Sequence, residues 1–124
     1  MQGKKFSIRA RLQSFVFAFN GVRLFIQKEH NAWIHLLATV VAVTTGFLLS
    51  IQPMEWVAIV FAIGLVWVTE MLNTCLERTM DLISLEKNEK IKIVKDIAAG
   101  AVLIASIIAL VIAFFVFLPY LITQ

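Results

Sequence analysis

Three long apolar runs constrain the fold of this 124-residue chain more than any other feature of its sequence. They cover residues 32–51, 54–76 and 97–122. Each approaches or exceeds the roughly 20 residues that an α-helix needs to cross a hydrocarbon layer about 30 Å thick. The chain is 60% hydrophobic, whereas soluble domains average about 45–50% apolar residues. The sequence therefore predicts an all-α integral membrane protein in which residues 1–124 form a single domain.

The connections between the runs predict the topology. Only Gln52 and Pro53 separate the first two runs, so these must form a tight antiparallel hairpin. Lys and Arg are absent from this turn but frequent before the first run and between the second and third. Because positive charge marks the cytoplasmic side, the amino terminus and the 77–96 connection are predicted to be cytoplasmic. No removable signal peptide is apparent.

The amino-terminal segment, residues 6–28, interleaves phenylalanines with arginines and lysines. It is too polar to span a membrane, and its pattern is typical of a basic amphipathic helix that lies on an anionic membrane surface. An ordinary positively charged flank remains the alternative. Cys75 is the only cysteine, which excludes an internal disulfide and a cysteine-based metal site within one chain.

A polar stripe interrupts the end of the second run. Glu70, Asn73, Glu77 and Asp81 cover about 80° of a helix circumference at 100° per residue. A charged side chain in hydrocarbon costs about 2.5–3.5 kcal/mol on insertion scales, so an intramembrane acid indicates a functional site by default. A purely structural Glu70, hydrogen-bonded within a helix bundle, is the competing interpretation.

The depth of the stripe suggests its chemistry. If the second helix starts at Met54 on the outer side, Glu70 lies about 24 Å along it, just beneath the inner headgroups. Glu77 lies about 10 Å further along, at headgroup level. A desolvated Glu70 is a candidate general base, and Glu77 is placed to bind Mg²⁺ together with phosphate oxygens.

Polar residues at the ends of the other two runs reach the same membrane level. Glu29 precedes the first run, and Lys95 and Asp96 precede the third. Acids for Mg²⁺, a lysine for phosphate and a buried base together predict phosphoryl transfer. The sequence contains no G-x-x-x-x-G-K-S/T loop and no glycine-rich loop, so any ATP site is of an unusual kind.

Residues 70–81, E-M-L-N-T-C-L-E-R-T-M-D, resemble the signature of the prokaryotic diacylglycerol kinase family. The resemblance extends to Glu29 with residues 34–36 and to residues 95–103. It implies a homotrimer with active sites shared between chains, in a bacterial inner membrane. It also implies transfer of the ATP γ-phosphate to a lipid hydroxyl with Mg²⁺. The implied partners are the membrane, a lipid, ATP and further copies of the chain, and no nucleic acid.

The resemblance also implies residue roles. Glu70 matches the catalytic base, and Glu29 and Glu77 match the metal-binding carboxylates. The positions implied for ATP binding are Arg11, Phe17, Glu29, Glu77, Glu86, Lys87, Asn88, Lys95 and Asp96. The positions implied for binding or supporting the lipid are Glu70, Asn73, Asp81 and Ala99. Arg9 is an alternative to Arg11, because neither aligns without ambiguity.

Several alternatives stay open at this stage. Diacylglycerol is favoured as the substrate by analogy with the family name, and undecaprenol is the alternative. A small ion-coupled transporter would need ionisable groups towards the outer face, but Ala58 to Val68 contains none. A non-catalytic assembly factor is a third possibility. Lys95 could be only an interfacial anchor, and His35 is expected to be packed or hydrogen-bonded rather than a metal ligand.

Overall fold

The computed structural model describes residue 3 and residues 5–123. These residues form four helices and no strand: α1 Ile8–Lys28, α2 His30–Leu49, α3 Pro53–Ile83 and α4 Glu89–Ile122. Helices α2, α3 and α4 are long and apolar enough to cross a membrane. The predicted all-α fold with three membrane-spanning helices is therefore confirmed. The chain divides into two compact units, with the boundary between Ile34 and His35.

The first unit contains α1 and the first turn of α2. Helix α1 begins after Ser7, whose hydroxyl accepts a hydrogen bond from the backbone N–H of Ala10 at 3.3 Å. It ends at Lys28, and the next residue, Glu29, has an extended backbone and an N–H that donates to the carbonyl of Phe25 at 3.1 Å. The predicted 6–28 segment thus forms a helix over most of its length. Its position on a membrane surface stays a prediction.

In the second unit, a short turn joins α2 to α3 at the end that we call the hairpin end (Ile51–Glu55 and Tyr120). Pro53 occupies the first position of α3, where its missing N–H costs no hydrogen bond. Nearby, a Cβ on Gly46 would lie 2.6 Å from the ring of Trp56, so this close approach of α2 and α3 requires glycine. The predicted tight hairpin is present.

Helices α3 and α4 pack against each other and extend beyond the apolar runs. The α3 helix continues past Leu76 to Ile83, and α4 already starts at Glu89. The side chain of Asn88 caps α4 by accepting hydrogen bonds from two backbone N–H groups. Most of the predicted 77–96 connection is therefore helical, because hydrophobicity marks only the part of a helix that lies in lipid. The polar residues near its two ends are held on rigid helices.

Candidate active site

The polar stripe on α3 runs from a buried to an exposed environment. Glu70 and Asn73 are buried, with 3% and 8% of their surfaces exposed, whereas Glu77 and Asp81 are exposed. The side-chain amide of Asn73 donates to Oε1 of Glu77 at 3.5 Å, and its Oδ1 is buried without a hydrogen-bond partner in the part of the chain that the structure describes. A buried oxygen without a partner costs about 1–3 kcal/mol, so this arrangement favours a site that a ligand completes.

His35 on α2 contacts the buried carboxylate. Its Nε2 lies 3.4 Å from Oε2 of Glu70, and their side chains are 18% and 4% exposed. One helical turn further along α2, Thr39 accepts a hydrogen bond from Nε1 of Trp67 at 2.8 Å. The interpretation of His35 as a packed and hydrogen-bonded residue agrees with this geometry. Two polar contacts therefore fix α2 against α3 beside Glu70.

An ion pair joins α3 and α4 beyond the buried part of the stripe. Nζ of Lys95 lies 2.6 Å from Oδ1 of Asp81, and both side chains are partly exposed. Lys92 bonds Asp96 one turn along α4. The sequence predicted that polar groups of all three spanning helices reach one membrane level, and the structure pairs Asp81 of α3 with Lys95 of α4 directly. We call this region, residues 70–81 with 92–96, the motif end.

The remaining predicted residues belong to other segments of the chain. Glu86, Lys87 and Asn88 are exposed in the short connection between α3 and α4, and Ala99 is exposed on α4. Arg11, Phe17 and Glu29 belong to the first unit. Arg11 lies over the ring of Phe6 at 5.7 Å, Phe17 is exposed, and Glu29 is half-buried at the end of α1. Their roles stay predictions.

A mostly apolar cavity of about 450 Å³ lies among α2, α3 and α4. His35, Thr39 and Trp67 line it, and so do the small side chains of Ala109 and Ala113. His35 thus belongs both to the cavity wall and to the surroundings of Glu70. Sequence analysis missed this cavity. The alanines that recur every fourth residue from Ala101 to Ala113 were a signal for it, but such a pattern equally indicates close helix packing.

A profile of the family described as prokaryotic diacylglycerol kinase matches residues 16–117. The chain belongs to the prokaryotic diacylglycerol kinase family. It is 37% identical over 109 residues to an undecaprenol kinase of Bacillus subtilis, covering 88% of this chain and 89% of the relative. A diacylglycerol kinase of Synechocystis is 35% identical, with coverage of 90% and 65%. A diacylglycerol kinase of Pseudomonas aeruginosa is 31% identical, with coverage of 76% and 71%. The predicted family is confirmed.

A kinase of this family is expected to use Mg²⁺, which would need oxygen ligands at the motif end. Among the described residues, no group of three or more His, Cys, Asp or Glu side chains is arranged to hold a metal. Glu77 nevertheless presents a carboxylate that accepts from the amide of Asn73, and Oδ1 of the same amide is buried without a partner among the described residues. Oxygen donors suit Mg²⁺, which typically takes one or two carboxylates and completes its shell with phosphate oxygens and water. The residues therefore fit a cation that arrives with a nucleotide.

Proposed function

We propose that this protein transfers the γ-phosphate of ATP to the primary hydroxyl of a membrane lipid. The observation that carries this proposal is the buried Glu70, whose carboxylate contacts a wall residue of an intramembrane apolar cavity. A cavity of 300–1,000 Å³ with a few polar groups at one end is typical of a small-molecule site. Here the apolar part suits a lipid tail and the acid suits the hydroxyl.

In the proposed reaction, Glu70 is the general base. The hydroxyl oxygen of the lipid forms a bond to the γ-phosphorus while the bond from that phosphorus to the β,γ-bridging oxygen breaks. The hydroxyl proton passes to Glu70, and ADP leaves. A base held in low dielectric and within hydrogen-bond reach of the hydroxyl contributes typically 10²–10⁴-fold to such a step.

Glu77 holds Mg²⁺ in this proposal, and the resemblance assigns the second carboxylate to Glu29. The bound ion neutralises charge on the phosphate oxygens. Asn73 keeps the Glu77 carboxylate in place through its amide. Asp81 supports the site by orienting the Lys95 ammonium, which then contacts phosphate.

The remaining assignments rest on the family resemblance. Arg11, Phe17, Glu86, Lys87, Asn88 and Asp96 contact ATP, and Ala99 contacts the lipid. The protein lies in a bacterial inner membrane with its amino terminus in the cytoplasm, which the distribution of positive charge supports. It forms a homotrimer with active sites shared between chains, and ATP and Mg²⁺ are its co-substrate and cofactor.

Two lipids are candidates for the acceptor. The sequence favoured diacylglycerol on the family name alone. Of the three relatives, the one named undecaprenol kinase has the highest identity to this chain. The match also covers a larger share of its length than of either diacylglycerol kinase. We therefore place undecaprenol first and diacylglycerol second.

The test is phosphate transfer from γ-labelled ATP by the full chain purified in detergent. Undecaprenol, diacylglycerol and triacylglycerol are supplied in parallel micelles with Mg²⁺, and the label is counted in the extracted lipid. We expect transfer to undecaprenol, weaker transfer to diacylglycerol and none to triacylglycerol, which has no free hydroxyl. Absence of label in both hydroxyl-bearing lipids contradicts the proposed function, and faster labelling of diacylglycerol reverses the order of substrates.

A further inference from the structure

We propose that His35 is a positioning residue for Glu70, which acts on catalysis by fixing the carboxylate that receives the lipid proton. This inference rests on the proposed function. It assigns a role to a residue that lies on a different helix from the signature motif, 35 positions before Glu70 in the sequence. In this proposal His35 neither transfers a proton nor binds the phosphate, and it acts only through Glu70.

The first support is the contact itself. Nε2 of His35 lies 3.4 Å from Oε2 of Glu70, and the Glu70 side chain is only 4% exposed. A carboxylate in such surroundings depends on the polar groups that the protein supplies, since water has little access to it. With its proton on Nε2, the imidazole donates towards Oε2 and restricts the rotation of the carboxylate.

The second support is that the backbone around His35 is itself held in place. The hydroxyl of Thr39 donates to the carbonyl of His35 at 2.7 Å and accepts from Nε1 of Trp67 at 2.8 Å. Trp67 precedes Glu70 by about one turn of α3, and Thr39 follows His35 by about one turn of α2. In an antiparallel helix pair, the Thr39–Trp67 and His35–Glu70 contacts are therefore neighbours along the interface. The Thr39–Trp67 hydrogen bond thus fixes the register of α2 and α3 at which His35 contacts Glu70.

The third support is the place of His35 in the cavity wall. A lipid whose tail occupies the cavity brings its hydroxyl to Glu70 past the imidazole. A displacement of the Glu70 carboxylate by about 1 Å is expected to lower the rate of phosphate transfer about 10²-fold. Loss of His35 is therefore expected to lower kcat more than it raises the KM for lipid, because the tail still has its cavity.

The experiment compares His35→Gln with His35→Asn in the full chain. The side-chain amide of Gln reaches about as far as Nε2 of histidine, whereas that of Asn reaches only about as far as Nδ1. We expect kcat to fall about tenfold to a hundredfold in H35N and H35A and to be largely restored in H35Q. The matched control is Leu37→Ala, which truncates an exposed side chain on the same helix and should leave kcat unchanged.

A double variant separates positioning from a structural role. Because His35 acts through Glu70, H35A should have little further effect on the residual turnover of E70Q. Wild-type kcat in H35A and H35N overturns the inference, and so does an equal loss in H35N and H35Q that follows their thermal midpoints. If the wild-type protein itself transfers no phosphate to lipid, the proposed function has failed and this inference with it. Activity in the wild type confines any failure to His35.

Discussion

The two ends of the α3–α4 pair each place a glutamate beside polar groups of another helix, but they satisfy it differently. At the hairpin end, the Glu55 carboxylate accepts a hydrogen bond from the backbone N–H of Gln52 at 2.8 Å and another from the hydroxyl of Tyr120. Glu55 also lies in the first turn of α3, where a negative charge complements the helix dipole. The chain itself therefore supplies the hydrogen-bond donors for the Glu55 carboxylate.

In the buried part of the motif end, the polar contacts are longer than those that Glu55 makes. The contact between Glu70 and His35 is 3.4 Å, the Asn73–Glu77 hydrogen bond is 3.5 Å, and Oδ1 of Asn73 has no partner among the described residues. Both ends cost free energy to place in or near a membrane. Among the described residues, the buried side-chain oxygen without a partner lies at the motif end, so this is the end that a ligand would stabilise.

The largest expected effect comes from exchanging each acid for its neutral amide. Glu70→Gln should lower kcat by roughly 10²–10⁴-fold, since the amide cannot accept the lipid proton, and should leave the thermal midpoint nearly unchanged. Glu55→Gln should do the reverse, lowering the midpoint while turnover persists. Phosphate transfer to lipid and circular dichroism melting in detergent measure the two effects. Near-wild-type turnover in E70Q would show that Glu70, like Glu55, is a structural acid and not the catalytic base.

A smaller effect is expected from Glu77→Gln. The amide is a weaker ligand for Mg²⁺ than a carboxylate, so the Mg²⁺ concentration for half-maximal activity should rise by about tenfold or more. A Mg²⁺ titration at saturating ATP and lipid measures it. The matched control is Glu89→Gln, an exposed acid in the first turn of α4 that we place outside the site. An equal response of both variants would indicate a general charge effect.

Much of the architecture followed from the sequence because lipid imposes a simple rule. An apolar run of sufficient length must become a spanning helix, and helical periodicity then places Glu70 and Asn73 on one side. Their burial is what that periodicity indicates. The membrane-crossing helices and the tight turn at Pro53 were therefore predictable from local pattern alone.

The cross-helix partners were not predictable in this way. The Trp67–Thr39 and Tyr120–Glu55 hydrogen bonds join residues 28 and 65 positions apart, and each depends on the register of two packed helices. Periodicity indicates which residues share a face of a helix, but not how the helix is shifted along its axis relative to a neighbouring helix. The same reason explains why Glu55 was not recognised as a structural acid and why the contact between His35 and Glu70 was missed.

The closed network at the hairpin end predicts a loss of stability for Tyr120→Phe. Removing the hydroxyl deletes one hydrogen bond to a carboxylate, which costs about 1–2 kcal/mol in a membrane protein. We expect a lower thermal midpoint and unchanged kcat for phosphate transfer. In the Glu55→Gln background the same substitution should have a much smaller effect, because the charged acceptor is already gone. Equal losses in both backgrounds would show that Tyr120 acts through packing alone.

The smallest effect is expected at the exposed rim of the motif end. Asp81→Asn removes the ion pair with Lys95, whose side chains are 49% and 37% exposed, so water and salt already screen it. Exposed pairs contribute about 0–1 kcal/mol, and we expect a change in the thermal midpoint smaller than that of Tyr120→Phe. Salt near 1 M should reduce it further, because the screening length there falls to about 3 Å, close to the 2.6 Å that separates the two charged groups. A rise in the KM for ATP without a comparable loss of stability would mean that Asp81 serves the site by orienting Lys95. A loss of stability as large as that of Tyr120→Phe would instead show that the Asp81–Lys95 pair stabilises the fold as much as the Tyr120–Glu55 hydrogen bond does.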